Sequence, residues 1–250
     1  MTPLLAAAFF SISPAVLTPL IDRAAPDAEY LVIDIRTREV VASHWTDAQL
    51  PMPLGSLVKP FTALAYHGDF PEYECQGGDR CWLKRGHGKL NFTRALAESC
   101  NSYFLQLAQH IDPAEVRRIA AKYQLPAPSS DSPETYIGLG TDWQISPLAL
   151  TRAYAELSLR SGEPVVNKIL RGLAESARTG TSAAIRPGAL AKTGTARCLS
   201  NLHHTTDGYT LVLEPADSPR IALLVRVHNV PGAEAAKTAA RILSIIRIGK

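Results

Sequence analysis

Leu54-Gly55-Ser56-Leu57-Val58-Lys59-Pro60-Phe61-Thr62-Ala63-Leu64 places a serine and a lysine three residues apart at the mouth of an apolar helix. Residues at i and i+3 share one helix face, with Cβ atoms about 5–6 Å apart. The spacing brings the Lys59 amine within reach of the Ser56 hydroxyl, and a serine needs such a base to become a nucleophile near neutral pH. Pro60 lacks an N–H and is tolerated only near the first helical turn, where that donor is not required. The helix therefore begins close to Ser56, leaves the Ser56 N–H free, and runs to about Tyr66. Taken alone, an SxxK pair is a common surface pattern, so its meaning depends on what else the chain supplies.

Upstream, Tyr30-Leu31-Val32-Ile33-Asp34-Ile35 and Glu39-Val40-Val41-Ala42-Ser43 are β-branched runs joined by Arg36-Thr37-Arg38, which predicts a hairpin. Downstream, residues 92–97 and 103–108 are helical by period, and Ser99-Cys100-Asn101-Ser102 between them is rich in helix-interrupting side chains. Asp112-Pro113-Ala114-Glu115 is a helix start with N-cap, proline and acid in place. Ser146-Pro147 opens a further helix, and another is expected over 168–178. The texture then changes to three strands, 190–196, 208–213 and 221–228, and Pro231 starts a terminal helix with Ala235, Ala239, Ile242 and Ile246 in phase. Strands at both ends and helices between them predict an α+β fold. An antiparallel sheet flanked by helices makes an α/β sandwich lobe from about 28–66 and 188–250, and an all-α lobe comes from about 67–187.

The 250 residues, 46% apolar and 20% charged, suffice for a full core and argue against disorder. A net charge of +3 without a Lys/Arg run, and without a recognised reader module, argues against nucleic-acid binding. Residues 1–20 carry no charged side chain and are expected to be a signal peptide or an N-terminal arm, with an apolar region at 4–10 and a small-x-small site at Ser13-Pro14-Ala15, although a basic leader is missing. An uncleaved arm would act as a membrane tether; residues 21–250 are then a single domain. Cys75 and Cys81 bracket a polar Gly-rich loop suited to a short disulfide in an oxidising compartment. A zinc reading would recruit His87 and His203 or His204, but no CxxC or HxxxH spacing supports it, so no metal site is expected. Cys100 and Cys198 read as buried small apolar residues.

Three short motifs occur in order: Ser56-Leu57-Val58-Lys59, Ser99-Cys100-Asn101 and Lys192-Thr193-Gly194-Thr195. Together they resemble the penicillin-binding protein transpeptidase domain and its serine β-lactamase relatives. Ile137-Gly138-Leu139-Gly140, Ile145-Ser146-Pro147-Leu148 and Gly180-Thr181 extend the likeness, which spans about residues 30–243. The resemblance implies that Ser56 attacks an acyl carbon while Lys59 takes its proton, with burial and the second cation, Lys192, keeping Lys59 neutral. It implies that Ser99 relays the proton and that Asn101 holds Lys59 and the substrate amide. Lys192, Thr193 and Thr195 would bind the substrate carboxylate, and Gly194 would admit substrate to the strand edge. Backbone N–H groups of Ser56 and Thr195 would form the oxyanion hole. No cofactor is implied. The implied ligands are peptidoglycan stem peptides and β-lactams, the implied setting is periplasmic or otherwise extracytoplasmic, and protein partners are not indicated.

Two further segments partly match the motifs but have simpler readings. Arg178-Thr179-Gly180-Thr181 sits where a helix C-terminus expects Arg and Gly, and Ser130-Asp131-Ser132 lies in a Pro/Ser loop without the Asn. No segment resembles the deacylating glutamate loop of class A β-lactamases, Glu134 being the nearest acid in context. A stand-alone D,D-transpeptidase or carboxypeptidase is therefore expected ahead of a serine β-lactamase or a penicillin-binding sensor that does not turn over.

Overall fold

The computed structural model describes residues 14–199 and 204–248. Its centre is a five-stranded antiparallel sheet in the order β2-β1-β9-β8-β7, formed by β1 (Ala28–Asp34), β2 (Val40–His44), β7 (Leu190–Arg197), β8 (Thr206–Glu214) and β9 (Ile221–His228). The two ends of the chain meet in the β1–β9 ladder, which pairs Ala28 with Val227 and Asp34 with Ile221. This is the single sheet expected from strands at both termini, and β7 is left as one of its edges.

Side chains alternate across a strand, and the alternation here feeds two separate cores. Leu31, Ile33, Leu211, Leu213 and Leu224 face the helical lobe. Tyr30, Val32, Val212, Leu223 and Val225 face the outer layer, where the terminal helix α9 (Gly232–Ile248) supplies Ala236, Ala239, Ile242 and Ile246. A strand buried on both faces reads as a continuous apolar run, which is why Tyr30-Leu31-Val32-Ile33 shows little polar alternation.

The outer layer also contains α1 (Pro14–Ala24), whose Leu17 and Ile21 are buried against the same core. Part of the segment expected to be a leader or arm is thus helical, with Leu17 packed on the domain, and Pro14 and Ala15 of the expected small-x-small site begin this helix. The apolar stretch at 4–10 lies outside the described residues. Among the described residues no helix is long and apolar enough to cross a membrane.

The helical lobe is built from α2 (Lys59–Leu64), α3 (Phe92–Ala97), α4 (Asn101–Ala108), α5 (Pro113–Lys122), α6 (Pro133–Tyr136), α7 (Pro147–Leu159) and α8 (Pro164–Arg178). Their starts follow the capping chemistry legible in the sequence. Asp112 accepts from the Ala114 N–H at 2.8 Å, and Ser146 accepts from the Ala149 N–H at 3.2 Å. Two-residue strands β3 (Met52–Pro53) and β6 (Gln144–Ile145) pair antiparallel, and β4 (Tyr73–Cys75) pairs with β5 (Gly88–Leu90) in the loop region between α2 and α3.

Candidate active site

Ser56 lies in a 3₁₀ turn, Gly55–Val58, that runs directly into α2, so Pro60 occupies the first turn where its missing N–H costs nothing. The turn is pressed against the edge strand. Gly55 adopts φ +57°, and a Cβ there would stand 2.3 Å from the Thr195 carbonyl oxygen; a Cβ on Gly194 would stand 2.4 Å from the Leu54 oxygen. Two glycines facing each other therefore set how closely the nucleophile's turn approaches the third motif.

The Ser99 motif is brought to the same place by the break between α3 and α4. Ser99 takes φ +51°, an uncommon conformation for a residue with a side chain, and Cys100 caps α4 by accepting from the Tyr103 N–H. Lys59 Nζ donates to the Ser99 carbonyl oxygen at 2.8 Å and to Asn101 Oδ1 at 2.7 Å, and lies 3.4 Å from Ser99 Oγ, a hydroxyl that can donate to the neutral amine. Lys192 Nζ donates to Ser99 Oγ at 2.7 Å and to the Thr193 carbonyl at 2.8 Å. One hydroxyl thus sits between two lysine amines, both fully buried.

Burial dictates the charge state. It lowers Lys59 to about 7, against the weaker opposing influence of the Cys100 and Cys81 thiols. Lys192 is lowered well below its usual value by burial and then by the Lys59 charge. Two cations cannot share so dry a space cheaply, and the Phe104 ring, whose centroid is 5.3 Å from Lys59 Nζ, helps keep it dry. Near pH 7 a substantial fraction of Lys59 is a neutral amine, as a proton acceptor must be.

A cavity of 480 Å³ opens over this arrangement, lined by Ser56, Ser99, Asn101, Thr193, Gly194 and Thr195 from the three motifs. Its remaining walls are Trp82, Leu139, Thr181, Pro231, Gly232 and Ala233. Among the described residues none of its lining is a carboxylate, and Glu134, the nearest acid in sequence context, is exposed outside it.

All eight candidate residues converge, six on the cavity wall and the two lysines beneath it. Three further contributors were not assigned from sequence. Thr181, read as part of a helix-capping decoy, hydrogen-bonds through Oγ1 to Thr193 Oγ1 at 2.7 Å. The Gly232 N–H donates to Thr195 Oγ1 at 2.9 Å, tying the start of α9 to the edge strand. Trp82 forms a rim and donates from Nε1 to the Glu98 carbonyl at 3.0 Å. Thr181 was recoverable from Gly180-Thr181; Trp82, in an aperiodic loop, carried no signal. The other decoy is structural, since Asp131 pairs with Arg117 at 2.5 Å and accepts from Tyr136 Oη.

With three motifs on one cavity, the comparison with known proteins is direct. The profile of the penicillin-binding protein transpeptidase domain matches residues 30–246. The chain belongs to the penicillin-binding protein transpeptidase domain family. Membership implies serine acyltransferase-type chemistry, and domains of this family are typically extracytoplasmic. No curated protein sequence matches the chain. Among solved structures, penicillin-binding protein 2 of Helicobacter pylori in complex with MreC superposes with a TM-score of 0.79 at 15% identity, covering 94% of this chain and 63% of that one. Penicillin-binding protein 2 of Pseudomonas aeruginosa in complex with WCK 5153 gives 0.73 at 18% identity, covering 96% and 74%. The transpeptidase domain of Burkholderia pseudomallei penicillin-binding protein 3 gives 0.70 at 18% identity, covering 98% and 96%. These likenesses establish the fold.

One expectation fails. Cys75 and Cys81 are free thiols, not a disulfide. The Cys81 sulfur turns towards His87 and Cys100, with Sγ 3.5 Å from His87 Nδ1 and 3.8 Å from Cys100 Sγ. His204, the other histidine considered for a metal, stacks on His228 at 4.3 Å instead, and His203 lies outside the described residues.

Proposed function

We propose that the protein is a serine acyltransferase acting on D-Ala-D-Ala peptidoglycan stem peptides, as a D,D-transpeptidase or D,D-carboxypeptidase, and that β-lactams acylate it at Ser56. The observation that carries this reading is the shared hydroxyl: Ser99 Oγ lies between Lys59 and Lys192 at the floor of the cavity that Ser56 lines. Ser56 Oγ attacks the penultimate D-Ala carbonyl as neutral Lys59 accepts its proton. The C–N bond to the terminal D-Ala then breaks, and the proton passes through Ser99 to the departing amine. Backbone N–H groups of Ser56 and Thr195 stabilise the oxyanion. Thr193, joined to Thr181 and backed by Lys192, binds the terminal carboxylate. An acceptor, water or an amine, resolves the ester.

A cavity lined without a carboxylate favours a long-lived acyl-enzyme over a fast β-lactamase, because deacylation needs a base for water. Fluorescent penicillin labelling of the wild type and of Ser56→Ala tests the reading, followed by release of D-Ala from a stem-peptide mimic. Label that depends on Ser56 and persists for many minutes, with D-Ala released, supports it. Loss of label within seconds with turnover makes the protein a β-lactamase, and persistent label without D-Ala release makes it a sensor. The same reading places the domain outside the cytoplasm, where its substrate is.

A further inference from the structure

Cys75, Cys81, His87 and Cys100 come from four separate points: the end of β4, the residue after a 3₁₀ turn (Gly78–Arg80), the loop before β5, and the centre of Ser99-Cys100-Asn101. One ligand atom from each lies within 4.8 Å of all the others. A tetrahedral zinc ion, with Zn–S about 2.3 Å and Zn–N about 2.0–2.1 Å, separates two sulfurs by about 3.8 Å and a sulfur from a nitrogen by about 3.5 Å. The observed Cys81–Cys100 and Cys81–His87 separations are 3.8 Å and 3.5 Å. The loop is folded tightly to present these atoms, since a Cβ on Gly86 would stand 2.2 Å from the Cys75 carbonyl oxygen. His87 turns Nδ1 towards the sulfurs, 3.5 Å from Cys81 Sγ, and among the described residues its buried Nε2 has no hydrogen-bond partner that would hold the ring in another orientation.

We propose that these four residues bind a divalent zinc-class cation in a closed Cys₃His site, and that the bound ion holds the Ser99–Asn101 segment and the Trp82 rim in their catalytic positions. Three thiolates and one imidazole select a soft tetrahedral ion. Binding needs all three sulfurs as thiolates, so whatever protons they carry pass to solvent, and the centre is left with one negative charge next to two buried lysines. All four positions are filled by protein, so the ion takes no part in the chemistry. Its influence is geometric: Cys100 is flanked by both members of the second motif, Cys81 precedes Trp82, and the Trp82 ring packs edge-on against His87 with centroids 5.2 Å apart. The positioning role rests on the proposed acylation; the metal site does not.

The test is metal content by plasma mass spectrometry on the full chain, equilibrated with zinc and then dialysed against metal-free buffer. About one equivalent is expected in the wild type and in Ser56→Ala, and under about a tenth of that in Cys75→Ser and His87→Ala. Cobalt supplies a readout independent of activity, because thiolate-to-cobalt charge-transfer bands report the sulfur ligands directly. Folded, thiol-reduced wild type that retains no zinc overturns the site, and so does a Cys75–Cys81 disulfide in protein that acylates at full rate. Zinc-depleted protein is expected to label with penicillin about 10–100-fold more slowly and to recover on zinc addition; equal rates overturn the positioning role. Stoichiometric zinc with no labelling at Ser56 upholds the site and overturns the functional reading instead.

Discussion

The edge of the sheet and the loop at residues 76–87 meet at Ser99-Cys100-Asn101, yet they are organised differently. On the sheet side, position comes from regular structure: β7 fixes Lys192, Thr193 and Thr195 by register with β8, and Gly55 and Gly194 fix the spacing to the nucleophile. On the loop side regular structure is short: Cys75 ends β4, which pairs with β5, while Cys81 and His87 are brought to Cys100 by turns. Ser99 and Asn101 line the cavity while Cys100, between them, faces Cys81. Three consecutive residues thus contribute both to the cavity wall and to the thiol–imidazole cluster.

Breaking one side should leave the other side's signature intact. Lys59→Arg should lower acylation by about 10²–10⁴-fold, because guanidinium does not act as a base at neutral pH, with zinc content unchanged. Labelling with fluorescent penicillin at the wild-type rate would show that Lys59 is not the base. Gly55→Ala should cost at least about 2 kcal/mol in stability, since it combines a strained positive φ with contact against the Thr195 carbonyl. A melting temperature equal to wild type would mean the turn and β7 are not pressed together.

The pH profile separates the two sides again. Burial holds Lys59 at about 7, so below that pH the acylation rate should fall about tenfold per unit as the base is protonated, and above it the rate should level. The same depression acts on stability in a defined direction. Between about 7 and the ordinary 10.5 the unfolded chain binds a proton that the folded chain does not, so this group's contribution to stability improves as pH rises through that window. A flat rate from pH 5 to 8, measured by single-turnover labelling, would contradict a neutral Lys59. The smallest effect is expected for Trp82→Ala. Losing a half-exposed rim should weaken penicillin affinity by about tenfold or less, with little change in the acylation rate at saturation.

The difference between the two regions also explains what the sequence made legible. Helix periods, Asp112 and Ser146 caps and β-branched runs fixed the elements because each signal is local, and the lobe division followed from their order. Ser56, Lys59 and Lys192 were recognisable because their spacing within one helix turn and along one strand survives as a short pattern. Thr181 was hidden by a second, valid reading: Arg178 and Gly180 do terminate α8, and the threonine after them reaches Thr193 only through the fold. Helix α1 was obscured because an apolar amphipathic segment near a terminus has the composition of a leader; its burial against α9 is a tertiary fact. The Cys75–Cys81 bridge was inferred from proximity in sequence, whereas in the fold the Cys81 sulfur turns to His87 and to Cys100, whose place beside it only the fold sets.

If the three motifs form one acylation site, Ser56 is its nucleophile and the residue that carries the acyl group. Intact-mass and peptide mass spectrometry after incubation with benzylpenicillin tests it most directly. The account predicts a single stoichiometric adduct on the peptide containing Ser56, absent from Ser56→Ala and strongly reduced in Lys59→Arg. Folded wild type that carries no adduct, or carries it on any other residue, would contradict it.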